Sequence, residues 1–296
     1  IFLFSFPIAL FHLPAYLLWD RFKTQRWSLF LFPAMLTVME WIQYTYTPFA
    51  SWGIAAYTQL NSISMMQTVP LFGMAGLSFL IYWANISIAE IIITKKSSLL
   101  TFQIPLSVLL VLITFGALRY ELSKSKGKDT MTVAAVGTDS EVSGLPLPSK
   151  ESNDLVKATL FSRTRTAAVN HAKLIVWNEG ATFILPAEEM QWKDTLINIA
   201  AELKINLVAS YVMPVSTTPF KYENKYLLID SSGTIIYTYH KHQPVPGEPA
   251  IQGKETLKVL DNEGTKIGAV ICYDYDFPYL ARGFGKLHTD IVAVPS

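Results

Sequence analysis

The sequence predicts two unlike parts: a bundle of membrane-spanning helices over residues 1–120, and an α/β sandwich with a mixed sheet over residues 131–296. A short linker at 121–130 joins them. Three observations predict this division. The 296 residues are 51% hydrophobic with a mean hydropathy of +0.30, too apolar for an ordinary soluble domain of this length. The excess is concentrated in residues 1–118. Beyond residue 118 the composition is ordinary, and short apolar strand patterns alternate with helical ones, as in a layered α/β fold.

Four runs approach the roughly 20 apolar residues needed to cross a bilayer: Ile1–Trp19, Trp27–Tyr46, Val69–Ile93 and Leu99–Leu118. The first has no charged leading segment, so it reads as a span of a longer protein rather than a cleaved signal. Pro7, Pro14 and Pro33 fit kinked helices, which membrane bundles tolerate. Trp19, Trp27, Trp41 and Trp52 fall near the predicted ends, where aromatic belts form. The loop with Arg21, Lys23 and Arg26 and the loop with Lys95 and Lys96 are basic, whereas Thr47–Gln67 has neither Lys nor Arg. The positive-inside rule therefore puts the basic loops in the cytoplasm and the second part outside. Arg119, Lys124, Lys126 and Lys128 oppose that orientation, but long domains translocate largely regardless of flanking charge. Glu40, beside Trp41, is a candidate functional carboxylate because charge in such a segment is costly; a solvated helix end is the competing reading.

After Ser123–Thr130, Met131–Val136 is a predicted strand, followed by a Gly/Ser/Pro-rich stretch to Ser149. Helical spacing over Glu151–His171 puts Leu155, Ala158, Thr159 and Ser162 on one face. Lys173–Trp177 is a short strand, Gln191–Leu203 a helix and Asn206–Met213 a buried strand. Tyr226–Asp230 and Thr234–Tyr239 flank Ser231-Ser232-Gly233, a hairpin signal. Lys266–Cys272 and Asp290–Val294 complete the strands. Net charge is +1, which gives no reason to expect a nucleic-acid partner.

The chemistry concentrates at strand ends. Cys272 is the sole cysteine, so no intrachain disulfide forms. A lone cysteine is more often a small buried hydrophobe, but here an apolar run, Gly268–Cys272, breaks into Tyr273 and Asp274. Glu179 follows the run ending at Trp177, and Lys241 closes the second hairpin strand. A base, an oxyanion partner and a thiol nucleophile are what acyl transfer through cysteine needs. Glu248, in a turn of Pro246, Gly247 and Pro249, suits a carboxylate that orients the lysine. His240 and His242 lack further spaced ligands, so no metal site is expected. There is no phosphate-binding glycine loop or serine elbow, and no cofactor is expected.

The order Glu179, Lys241, Cys272, spaced by 62 and 31 residues, with Trp-x-Glu, Tyr-x-Lys and Ile-Cys-Tyr-Asp, resembles the nitrilase (carbon–nitrogen hydrolase) superfamily. Glu40-Trp41, Trp52-Gly53, Gln67, Gly73-x-x-Gly76-Leu77-Ser78-Phe79 and Asn85 resemble the polytopic part of the apolipoprotein N-acyltransferase family. Val245-Pro246-Gly247-Glu248 is similar to that family's Val-Pro-Phe-Gly-Glu.

The resemblance implies an αββα sandwich outside a bacterial inner membrane, on a larger bundle of which this chain holds part. It implies Glu179, Lys241 and Cys272 as the catalytic set, with Glu248, Tyr273 and Asp274 supporting. The implied reaction moves a fatty acyl chain from a phospholipid, through a Cys thioester, to the N-terminal amine of a lipid-modified lipoprotein. A monomer is expected. The rivals are a membrane-tethered amidase, an acyltransferase with another amine acceptor, and an inactive scaffold. Three departures stand out: Asp274 replaces the family's Glu, residues 137–170 hold no Trp, and the arm after Glu248 is short. The second and third lead us to expect an open acceptor site.

Overall fold

The computed structural model describes residues 2–25, 27–96, 98–124, 130–139 and 145–296. Arg26, Lys126, Lys128 and part of the Gly/Ser/Pro-rich stretch lie outside them. The chain divides into two compact units, residues 1–129 and 130–296.

The first unit is helical: α1 (Phe2–Phe22), α2 (Ser28–Tyr46), α3 (Ile63–Met66), α4 (Val69–Thr94) and α5 (Ile104–Lys124). One π turn, Leu99–Gln103, leads into α5, and Ser98 caps it through the Thr101 N–H. Helices thus occupy the four apolar runs. Among the described residues, Val69–Thr94 and Leu99–Lys124 are long and apolar enough to cross a membrane. Four spans therefore remain an expectation.

Gly73 interrupts α4 with φ +68, a left-handed value that glycine adopts without a Cβ clash. Inside the unit, Tyr44, Ile54, Met65 and Leu77 pack together, and Leu29, Trp83 and Ile86 form a second cluster. Glu40 is 1% exposed. Its Oε1 accepts the Ala55 N–H at 2.8 Å and the Tyr82 hydroxyl. Gln43 Nε2 donates to the Ala50 and Trp52 carbonyls at 3.0 and 2.7 Å. Two polar residues of α2 thus pin the loop that follows it.

The second unit holds two sheets. In the larger, β1 (Val133–Val136), β2 (Leu174–Trp177) and β3 (Asn206–Thr217) run parallel, and β4 (Phe220–Ile229) and β5 (Ile235–His240) continue antiparallel in sequence order. In the smaller, β7 (Thr265–Ala269) lies between antiparallel β6 (Leu260–Asn262) and parallel β8 (Ile291–Ala293). The strand pattern alone suggests one mixed sheet. The correction to two arises because β5 and β7 do not pair.

Side-chain alternation along the strands sorts the core into two layers. Ile175, Trp177, Leu207, Ala209, Leu227 and Ile229 face α6 (Lys150–Val169) and α7 (Glu189–Leu203), meeting Leu160, Trp192 and Leu196. Leu174, Val208, Tyr226, Leu228 and Tyr239 face the small sheet, meeting Ile267, Ala269 and Ile271. α8 (Pro278–Lys286) covers the small sheet, with Phe284 against Gly268, where an added Cβ would collide with the ring. The layers therefore run helix, sheet, sheet, helix. Full burial of each large apolar side chain is worth about 1.5–3 kcal/mol.

Two readings of the sequence need correction. The face of α6 predicted from Leu155, Ala158, Thr159 and Ser162 points outward, with Leu155 70% exposed. The buried face instead carries Asn153, Leu160 and Thr164. Asn153 Nδ2 donates to the Phe183 carbonyl at 2.9 Å, and Thr164 Oγ1 accepts the Trp177 indole N–H at 3.0 Å. Polar residues with partners fill a helix face that hydropathy assigns to solvent. In addition, β7 stops at Ala269, before the cysteine. The chain continues through the bonds Val270 N–H to Ala293 O and Cys272 N–H to Pro295 O.

Candidate active site

Three strand ends and a turn converge in the second unit. Glu179 follows β2, Lys241 follows β5, Glu248 sits in the turn after Lys241, and Cys272 follows β7. Parallel strands deliver their C-terminal ends to one edge, which is why residues distant in sequence meet there.

Lys241 is 1% exposed, and two of its three ammonium hydrogens are engaged. Its Nζ donates to Glu179 Oε1 and to Glu248 Oε2, both at 2.7 Å. Burial works against its charge, but the two carboxylates outweigh that and raise the ammonium above its ordinary range. Burial pushes Glu248 up, yet Lys241, the Val245 N–H and Asn224 together hold it below the usual carboxylate range. Breaking such a buried pair by removing one partner costs about 3–5 kcal/mol, because the other charge is left uncompensated.

Cys272 lies near enough to Glu179 for the carboxylate to act on its thiol. Burial, then the Glu179 charge, push its pKa up to about 11, against an opposing pull from Lys241 and a hydrogen bond from Ser296. The resting sulfur is therefore a thiol, and its proton has a carboxylate ready to receive it. Cys272 itself has φ +44, a strained conformation for a non-glycine residue.

Asp274 fastens that turn. Its carboxylate, fully buried, accepts the Ile271 N–H at 3.2 Å, the Gln243 N–H at 2.6 Å and the Tyr239 hydroxyl at 2.8 Å. The same group thus ties the cysteine turn to the segment carrying Lys241. Burial leaves the Asp274 carboxyl above its ordinary range despite those bonds. Tyr273 is buried and packs edge-on against Phe277 at 5.3 Å.

Asn224 is the site residue that sequence reasoning missed. Its Nδ2 donates to Glu179 Oε1 at 2.7 Å and Glu248 Oε1 at 3.1 Å, so one amide spaces both carboxylates. Tyr222, two residues earlier on the same strand face, donates its hydroxyl to Glu248 Oε1 at 3.2 Å. Alternation places Asn224 between Tyr222 and Tyr226 on one face of β4, but nothing local marks what that face meets. Glu40 belongs to the first unit and pins its loop. Among the described residues, no group of three or more His, Cys, Asp or Glu side chains is arranged to hold a metal ion.

The arrangement can deprotonate a thiol, offer a fixed ammonium to a developing oxyanion and keep that ammonium charged. The family model described as carbon–nitrogen hydrolase matches residues 132–296, and the one described as the apolipoprotein N-acyltransferase N-terminal domain matches residues 1–87. An apolipoprotein N-acyltransferase of Borreliella burgdorferi is 23% identical, covering 78% of this chain and 50% of its own length. One from Geobacter metallireducens is 25% identical, covering 79% and 49%. The chain spans about half the length of these curated relatives. Among solved structures, the NitN amidase of a Nesterenkonia species is similar over 56% of this chain and 66% of its own, at 20% identity and a TM-score of 0.44. That likeness is too slight to rest chemistry on.

Proposed function

The chain belongs to the carbon–nitrogen hydrolase family, and on that premise we propose that it is a membrane thiol acyltransferase of the apolipoprotein N-acyltransferase kind. The observation that carries the reading is the buried Lys241 ammonium held between Glu179 and Glu248, with Cys272 beside it.

In the first half-reaction, Glu179 takes the Cys272 proton as the sulfur attacks the ester carbonyl of a phospholipid. The new C–S bond leaves an oxyanion, which Lys241 and nearby backbone N–H groups stabilise; such stabilisation is usually the largest single contribution to catalysis. Collapse breaks the ester C–O bond, Glu179 returns its proton to the departing alkoxide, and a lysophospholipid leaves. In the second, the N-terminal amine of a lipid-modified lipoprotein attacks the thioester. The C–N bond forms, the C–S bond breaks, and Glu179 carries the amine proton to the thiolate. Glu248 and Asn224 fix Glu179 and Lys241 throughout.

The apolar first unit supports a membrane setting. Leu110, Val111, Ile92 and Ile93 are all more than half exposed, whereas Glu40 and Gln43 are buried. A surface of that kind suits lipid better than water. We place the chain in a bacterial inner membrane as a multi-pass monomer, with residues 130–296 on the outer side.

Incubation of the full chain with phospholipid labelled in its acyl group tests the reading. A hydroxylamine-sensitive label on the wild type, absent from Cys272→Ser, is expected. A label that survives the substitution overturns the assignment. Adding a diacylglyceryl peptide should then move the label to that peptide; release as free fatty acid alone would make the chain a hydrolase.

A further inference from the structure

The residues after Glu248 form a strap that pairs with Tyr222 of β4 and then passes the end of β5. Tyr222 donates its N–H to Pro249 O at 3.3 Å, and Ile251 donates to Tyr222 O at 2.8 Å. Gly253 donates to the Lys241 carbonyl at 2.8 Å, while the Lys241 N–H goes to Asn224 O at 2.8 Å. The backbone of Lys241 is thus gripped from β4 on one side and from the strap on the other. Tyr237 adds a third fastening, its hydroxyl donating to Thr256 O at 2.7 Å.

Glu255 locks this arrangement. One carboxylate oxygen accepts from His240 Nδ1, and the other lies 3.4 Å from His242 Nε2. One carboxylate therefore bonds one neighbour of Lys241 and lies against the other. His240 is held from its other side as well: its Nε2 lies 3.4 Å from Glu223 Oε2, and that oxygen accepts Lys225 Nζ at 2.6 Å. Lys225 in turn reaches Glu189 on α7 at 2.8 Å. His242 stacks on Tyr239, ring centroids 4.6 Å apart, and Tyr239 donates to Asp274. The strap seats closely because residue 253 is glycine. A Cβ there would collide with the His240 carbonyl and lie 2.8 Å from Glu255 Oε2.

We propose that Glu255 is a positioning residue for the reaction: through His240, His242 and the strap it holds the Lys241 ammonium in place between Glu179 and Glu248. Buried ion pairs depend steeply on geometry, since displacement of an ångström or so forfeits bonds that the low dielectric has made strong. Lys241 favours the Cys272 thiolate. A loosened Lys241 therefore lowers thiolate content at any given pH. Glu255 itself is pushed up by burial, but backbone hydrogen bonds and its contacts with His240 and His242 hold it below its ordinary range. It therefore serves as a charged fastener.

The proposal rests on the reading of Lys241 and Cys272 given above, but its test does not need acyl transfer. Cys272 is the sole cysteine, so iodoacetamide reports on it alone in the full-length protein in detergent. Between pH 8 and 10 the alkylation rate should be roughly threefold or more lower in Glu255→Gln than in the wild type, corresponding to about half a pKa unit. Glu255→Asp should recover part of the loss, and Lys241→Ala should show the full effect. Gly253→Ala, which lifts the strap and leaves every charge in place, should match Glu255→Gln and serves in its stead if that variant does not fold. An unchanged alkylation profile in the folded variant, with only a lower melting temperature, would make Glu255 purely structural and overturn the proposal. Absent acyl transfer in the wild type, with the alkylation shift intact, would count against the acyltransferase reading and leave the clamp standing.

Discussion

Each unit holds a carboxylate among hydrogen-bond donors, Glu40 buried and Glu179 partly so, and the two are used differently. Glu40, in the helical unit, accepts a backbone N–H and a tyrosine hydroxyl, with no ammonium among its hydrogen-bond partners, and its Oε2 has no partner among the described residues. Glu179, in the sheet unit, accepts from an ammonium and an amide and lies near a thiol. The first arrangement secures a loop; the second can move a proton. Burial makes a carboxylate costly, and its partners decide whether the cost is spent on architecture or on chemistry. The surfaces differ in the same sense, with apolar side chains outermost in the helical unit and innermost in the sandwich.

The sharpest way to break this comparison is topological. A cysteine placed at exposed Ser231, in the Cys272→Ser background, should react with an impermeant maleimide in intact spheroplasts. Reaction only after lysis would put the sandwich on the cytoplasmic side, an all-or-none reversal.

Next in size is the core of the sandwich. Trp177 is fully buried against Phe161 and Trp192, with ring centroids 6.1 and 6.0 Å away. Trp177→Ala should cost about 3–5 kcal/mol, read as a lower melting temperature of the second unit. Loss below about 1 kcal/mol would mean that the layer packs more loosely than its geometry indicates.

A smaller effect separates the two half-reactions. The short strap and the lack of tryptophan in residues 137–170 leave fewer apolar contacts for a lipid-modified acceptor. One large aromatic side chain is worth about 1.5–3 kcal/mol, or roughly tenfold to over a hundredfold in affinity. Acyl-enzyme formation should therefore be normal while transfer to a diacylglyceryl peptide is slower by about that factor. Equal rates for this chain and a long-armed relative would remove the open-site expectation.

The smallest effect belongs to Glu40. Glu40→Gln keeps an acceptor for Ala55 and should cost about 1 kcal/mol in stability, leaving the rate of Cys272 acylation within about threefold. A hundredfold loss of acylation with stability intact would make Glu40 part of the chemistry and erase the contrast drawn here.

The division of the chain was legible because composition changes abruptly near residue 119, and the strand ends were legible because apolar runs stop at Trp177 and His240. Glu179 and Lys241 stood out as polar residues just past those stops, and Cys272 at the end of a third apolar run, Gly268–Cys272. Asn224 did not: within a strand, a single amide flanked by tyrosines carries no mark of what it faces. The inner face of α6 was misread for a related reason. Hydropathy cannot see that Asn153 and Thr164 have partners waiting on Phe183 and Trp177.

The sequence by itself determined what the local backbone can do: where helices and strands form, where the hairpin turns, and which residues stand at strand ends. Only the tertiary structure decided that β5 and β7 belong to separate sheets, that Asp274 joins the cysteine turn to the lysine segment, and that Glu255 reaches both imidazoles. Local pattern records the period of a strand or helix. Pairings across 20 or 60 residues depend on which surfaces exclude water together, and no window of sequence contains that information.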